Sequence, residues 1–402
     1  MAIVKPFKAI RPAKDKVHLV ASRSYISYTK GELERKLNSN PYSFVHIINP
    51  DHGIEKKSRA NSKELFQKIK DKFDQFMDEG ILIQDEKPSL FIYEQKKEGH
   101  STCGIIGLTS AKDYGNGKIK KHEQTLPKRE ALFRDYLKIC DIHAEPVLLT
   151  YPDNDKIKEI IASEKKEEPV YDITTSNRVR HTLWRIVNEQ ELQGIIEGFS
   201  SIGSLYIADG HHRSASSYLL SESGNLHEDH PYNYFMSYLV PESELQIYEF
   251  DRLVKDLNGL TEREFLEKVS KNFTVEQLAS EQKPSKKGEF TFFLNEHWYK
   301  VTCKFESDDI DPKILNEYII YPILGIKDQR HDKRISFVGG EKAMSKLKKH
   351  VLSGKFKLGI AVHPLSVKEL IEVSDKEETM PPKSTWIEPK LRSGLTIYSY
   401  SR

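Results

Sequence analysis

Ser204-Leu205-Tyr206-Ile207-Ala208-Asp209-Gly210-His211-His212-Arg213, continued by Ser214-Ala215-Ser216-Ser217-Tyr218-Leu219-Leu220, is the stretch on which the fold turns. Its apolar start reads as a strand that stops at Asp209-Gly210, and a helix resumes at or near His211. Gly210 supplies the positive φ that so tight a turn asks for. Unpaired N–H groups and the positive end of the helix then face whatever lies over the turn. His211, His212 and Arg213 add side-chain donors, and the planar fork of Arg213 suits phosphate oxygens. Asp209 could hold a divalent cation such as Mg2+ through one carboxylate oxygen. Together these residues describe an anion site, most simply a phosphate site. A plain helix start, with Asp209 as N-cap and the histidines as surface groups, is the competing account.

Working outward, Ser89–Glu94, Thr102–Leu108, Pro146–Tyr151, His181–Val187, Asn233–Val240 and Leu245–Phe250 read as strands. Asn40–Ile48 reads as a turn feeding one more strand. Ser62–Glu79 places Leu65, Phe66, Ile69, Phe73 and Phe76 at a helical period with Gly80 beyond its end. Further helices are expected with Leu132, Tyr136 and Ile139 inward, and over Gln190–Gly198, Leu260–Phe273, Lys313–Leu324 and Lys342–Leu352. Glu289–Phe305 predicts a hairpin turning at Asn295-Glu296, and Phe356–Val362 a last strand. Asp113–Gly117 reads as a loop, Lys156–Glu168 as a solvated helix face, and Met380–Leu395, with three prolines, as irregular. The fold class is α/β (α+β): a mixed-sheet core at 106–255, an N-terminal α/β segment at 1–105, and a C-terminal α+β segment at 256–402 whose tail returns to the core.

Two further groups carry chemistry. In His122-Glu123-Gln124-Thr125, Glu123 would accept a proton from a hydroxyl if this segment faced the turn. The same residues also serve as a helix start, with Thr125 as cap and Glu130 following. Along His181–Val187, alternation sends His181 and Arg185 to one face and Trp184 to the core. Arg180 and Arg185 are candidates for binding an anion, as is Lys383 on the tail.

The chain has 402 residues, 62 Lys+Arg against 60 Asp+Glu, and a formal net charge of +2, which gives no overall pull toward polyanions. No window spans a bilayer, and Met1–Ile10 lacks the apolar core of a secretory signal. Cys103, Cys140 and Cys303 are too few and too scattered for a disulfide framework or a zinc site. A cytoplasmic protein is expected, with neither membrane nor nucleic acid as partner. There is no G-x-x-x-x-G-K-[ST], G-x-G-x-x-G, H-E-x-x-H or G-x-S-x-G.

Lys5-Pro6-Phe7, Ile10-Arg11-Pro12, Asn40-Pro41, His122-Glu123 with Thr125, His181 with Leu183-Trp184, Ala208–Arg213, Phe337–Gly340 and Met380–Thr385 follow one another through the chain. In that order they resemble the domain-of-unknown-function family ten-fifteen, which is distantly similar to ParB and sulfiredoxin. The Asp-Gly-His-His-Arg element is similar to that of ParB-like free-serine kinases; sulfiredoxin has a cysteine in the corresponding turn, where this chain has His211-His212. Ala21-Ser22-Arg23-Ser24-Tyr25 departs from the Ala-Pro-Pro-Tyr stretch of many relatives. The resemblance implies a kinase that transfers phosphate from ADP, ATP or pyrophosphate to the hydroxyl of free L-serine, with Mg2+. In that assignment Glu123, Asp209 and His211 are catalytic, with Asp209 also on the metal. Gly210, His212, Arg213 and Lys383 hold the donor; His122, Thr125, Arg180 and Arg185 hold the substrate. Two alternatives remain open, a CTP- or ATP-binding regulatory module and a phosphoester hydrolase. A homo-oligomer is compatible with each.

Overall fold

The computed structural model describes residues 2–388 and 390–402, except the side chain of Ile26. Residues 2–245 with 390–402 form one compact unit, and residues 246–388 a second.

In the first unit the strands are β1 (Val4–Lys5), β2 (Leu90–Lys97), β3 (His100–Ser110), β4 (Ile119–Lys120), β5 (Val147–Tyr151), β6 (Tyr171–Thr174), β7 (Arg180–Ile186), β8 (Leu205–Asp209) and β9 (Tyr234–Pro241). Among the described residues they make one nine-stranded sheet in the order β6-β7-β2-β3-β9-β5-β8-β4, with β1 added on β3. Pairing is antiparallel except for β9 with β5 and β8 with β4, so the sheet is mixed. The 105/106 boundary expected from the sequence falls inside β3. Glu98 and Gly99, at φ 49° and 87°, close the β2–β3 hairpin with the left-handed pair that tight hairpins favour.

The helices of this unit are α1 (Lys30–Ser39), α2 (Lys63–Asp78), α3 (Pro127–Cys140), α4 (Asp155–Glu164), α5 (Glu189–Ser200) and α6 (His211–Ser221). Every second residue of the strands (Ile92, Ile105, Leu149, Trp184, Ile207) packs with Ile157 of α4 and Ile195 and Phe199 of α5. Trp184 is core, as alternation requires. The Lys- and Glu-rich 156–168 stretch is therefore only partly a solvated face, because α4 anchors through Ile157, which is buried. A second core joins Phe66, Ile69, Phe73 and Phe76 of α2 to Phe44, Ile47, Ile142 and Ile397.

Three local expectations are corrected. Val45–Ile48 is a helical turn, not a strand; so short an apolar run satisfies either period, and packing against α2 decides. Ala111–Gly115 is a short helix, so the expected loop Asp113–Gly117 is reduced to Asn116-Gly117. Met380–Leu395 contains two short strands, Trp386–Glu388 and Arg392–Ser393, while Pro389 lies outside the described residues.

The second unit holds β10 (Phe250–Val254), β11 (Phe273–Leu278), β12 (Glu289–Leu294), β13 (His297–Cys303), β14 (Ile335–Gly339) and β15 (Leu358–Val362). They pair antiparallel in the order β11-β13-β12-β15-β10-β14. The β12–β13 hairpin turns at Asn295-Glu296, both at positive φ. Among the described residues no helix is long and apolar enough to cross a membrane.

Candidate functional site

Strand β8 ends at Asp209, and Gly210 turns the chain at φ 106° and ψ 27° as the N-cap of α6. Only glycine adopts that φ without strain. No side chain caps this helix end, so the first-turn amides rely on partners outside the helix. Arg213 folds back across the turn: a Cβ at position 210 would meet its Nε and Nη2 at 3.1 Å. Nη1 donates to the carbonyls of Glu145 (3.0 Å) and Pro146 (2.6 Å). The same guanidinium pairs with the Glu145 carboxylate at 3.3 Å and Asp209 Oδ2 at 3.5 Å. Arg213 thus clamps the turn to the entry of β5, which occupies much of the fork the sequence assigned to phosphate. Asp209 is half-exposed and its Oδ1 has no partner among the described residues.

Strand β4 lies parallel to β8, with Ile119 opposite Leu205 and Lys120 opposite Tyr206. Parallel strands leave a sheet at the same end, so residues 121–125 emerge beside 209–213. The His122 and His211 rings meet edge to face at 4.5 Å. The backbone N–H of His122 donates to His211 Nε2 at 3.5 Å. Nε2 is therefore the acceptor nitrogen, and the ring proton sits on Nδ1, which faces Glu123 Oε2 at 3.8 Å. Both rings are buried. Burial pushes His122 down to about 4 and His211 well below its ordinary value, the latter aided by His122, His212 and Lys121. Both are neutral at pH 7. His211 is thus a neutral ring whose Nδ1 faces Glu123.

The remaining candidates divide. Gly210 and His212 sit at the start of α6. Thr125 donates its hydroxyl to the Glu130 carboxylate in the first turn of α3, but the N-cap of that helix is Leu126 and no side chain caps it. Arg180 and Arg185 lie on β7, five strands from β8, roughly 24 Å along the sheet at about 4.8 Å per strand. Arg180 is held by both oxygens of Asp172 at 2.8 and 2.5 Å. Arg185 donates to Ser89 Oγ at 2.8 Å and the Lys87 carbonyl at 3.0 Å. Neither arginine is brought to the turn. Lys383 belongs to the second unit, where its ammonium lies 5.5 Å from the Phe250 ring centre.

Two residues escaped the sequence reading. His143 is 2% exposed, and neither ring nitrogen has a hydrogen-bond partner among the described residues. Burial, with Arg213 nearby, pushes it down to about 3. Glu145 anchors Arg213 and also accepts from Ser393 Oγ at 3.2 Å. Their only signal was a histidine and a glutamate immediately ahead of the Pro146–Tyr151 strand.

Residues 4–321 match the family model described as Protein of unknown function (DUF1015). The chain belongs to the DUF1015 family. No curated protein matches it. Solved structures similar to this DUF1015 chain include a variant of free serine kinase in complex with AMP, at 14% identity and TM-score 0.39, covering 73% of this chain and 91% of that one. A conserved hypothetical protein from Pyrococcus furiosus is similar at 15% identity and TM-score 0.36, over 72% and 95% of the two chains. C-terminally truncated SbnI from Staphylococcus aureus is similar at 13% identity and TM-score 0.33, over 74% and 84%.

Chemically, the DUF1015 turn offers a helix end with no side-chain cap and a carboxylate, Glu123, beside it. Among the described residues no group of three or more His, Cys, Asp or Glu side chains forms a metal cage. Mg2+ carried on substrate phosphates needs only one or two carboxylates, and half-exposed Asp209, with Oδ1 open, fits that requirement.

Proposed function

We propose that this DUF1015 protein is a phosphotransferase that moves a phosphoryl group from ADP, ATP or pyrophosphate to the hydroxyl of free L-serine, giving O-phosphoserine. The observation that carries the reading is Glu123, 3.8 Å from the Nδ1 of a neutral His211 beside the uncapped start of α6. The likeness of Asp209–Arg213 to the free-serine kinase element supports the choice of acceptor.

In this mechanism the α6 amides and His212 bind the oxygens of the transferred group. Glu123 takes the proton as the serine oxygen bonds to phosphorus, while the bond from phosphorus to the donor oxygen breaks. AMP, ADP or orthophosphate leaves accordingly. Such transfers ask a protein mainly for positioning and charge neutralisation. Asp209 would hold Mg2+, which neutralises the donor phosphates. Arg213 keeps the turn in register through Glu145 and Pro146.

The experiment is direct. Protein, L-serine and Mg2+ are incubated with each donor in turn, and phosphoserine is measured. Product from at least one donor is the expected outcome, and failure with all three overturns the proposal. Nucleotide binding without an acceptor would point to a regulatory module, and orthophosphate release without serine to a hydrolase.

A further inference from the structure

Within the first unit, the short strands Ser22–Arg23 and Arg392–Ser393 pair antiparallel, and Arg23 stands directly opposite Arg392. Like charges in that position destabilise a ladder. Lys36 of α1 feels both guanidinium groups, and its ammonium has no hydrogen-bond or ion-pair partner among the described residues. The carboxylate paired with this group is Glu32, 3.7 Å from Arg23 Nη2. Three cations thus share one counter-charge.

Arg392 is held by neutral groups, buried His181 and exposed Asn177. Its Nε donates to His181 Nε2 at 3.3 Å, and its Nη2 to Asn177 Oδ1 at 3.4 Å. A guanidinium only donates, so His181 carries its proton on Nδ1 and gives it to Tyr93 Oη at 2.7 Å. His181 and Tyr93 are both buried. Arg23 remains 42% exposed, so the cluster is open on one side. Burial and the two arginines push the Lys36 ammonium down, and burial does the same to Arg392. Folding gains nothing from such an arrangement unless an anion completes it.

We propose that Arg23, Lys36 and Arg392 form a binding subsite for a phosphate group. The residual charge of the cluster, three cations against Glu32, equals that of a phosphate dianion, and two guanidinium forks suit its oxygens. The neighbouring Ser393 donates to Glu145, which also pairs with Arg213, so one hydrogen-bonded chain joins the subsite to the turn. The inference stands on its own geometry and does not rest on the serine-kinase reading.

The test is calorimetric titration of the full chain with orthophosphate in metal-free buffer, repeated with O-phosphoserine. Wild-type protein is expected to bind orthophosphate. Lys36→Met and Arg392→Gln should each weaken that binding about tenfold or more, the size of one lost charge-assisted contact. Lys36→Met should melt no lower than wild type without ligand, since its ammonium has no partner to lose. Tighter binding of phosphoserine would show the phosphate arriving on an ester, and equal binding would show it free; both support the subsite. No binding by wild type, or Lys36→Met within twofold of it, overturns the proposal. Because Lys36 lies on a partly exposed helix, that variant decides the matter if Arg392→Gln does not fold. If wild type forms no phosphoserine with any donor while Lys36→Met loses phosphate binding, the kinase reading falls and the subsite stands.

Discussion

Replacing Glu123 by glutamine separates the chemistry of this site from its architecture. The amide keeps the size of the carboxylate and an oxygen facing His211 Nδ1, 3.8 Å away in the native protein. Since burial keeps His211 neutral, that contact is not an ion pair, and the substitution removes no His–Glu Coulomb attraction. The Glu123 side chain is 45% exposed, and exposed pairs with other groups are worth about 0–1 kcal/mol. Stability should therefore fall by at most about 1 kcal/mol. Turnover is another matter: a positioned general base contributes roughly 10²–10⁴-fold, or about 3–5 kcal/mol of barrier. Phosphoserine formation should drop by that factor while donor binding by calorimetry and the urea midpoint stay near wild type. Turnover within about threefold of wild type would refute Glu123 as the base, and a collapse of stability would show that its role is structural.

Four buried imidazoles, His122, His143, His181 and His211, make the protein acid-sensitive, His211 lying well below its ordinary value. His122 is held at about 4 and His143 and His181 at about 3, all below the ordinary histidine value, chiefly by burial. The unfolded chain binds these protons first, so stability is full above about pH 6.5 and is lost as pH falls toward the folded values, at about 1.4 kcal/mol per pH unit for each ring. Urea midpoints between pH 7 and 5 measure the slope. His143→Phe removes one of the four rings along with two unsatisfied polar atoms; it should flatten the slope by about a quarter and raise stability at pH 7 by about 1 kcal/mol, and an unchanged slope contradicts the burial argument. Gly210→Ala places a Cβ 3.1 Å from Arg213 at φ 106°, which should cost about 1–3 kcal/mol and abolish turnover; an unshifted midpoint would mean that the turn relaxes freely.

The strand–turn–helix at 204–220 was readable because each part of it is local: an apolar run, a glycine free to take φ 106°, and a helix beginning at His211. The α2 helix and the Asn295-Glu296 hairpin were readable for the same reason. Phe44–Ile48 was not, since a few apolar residues fit a strand or a helical turn equally and only the neighbouring α2 chooses. Arg180 and Arg185 looked like free cations in the sequence, and their partners Asp172, Ser89 and Lys87 lie on other segments of the chain.

From its sequence alone, then, this protein's α/β class, its strand–turn–helix at 204–220 and its likeness to the DUF1015 family could be stated. Only the tertiary structure decided that β4 and β8 leave the sheet together, that His211 is neutral and turned toward Glu123, that His143 is sealed in, and that Arg23 faces Arg392. The reason is physical. Backbone torsion and periodicity depend on neighbours in the chain, whereas the protonation, tautomer and charge balance of a side chain depend on burial and on groups that only folding brings near.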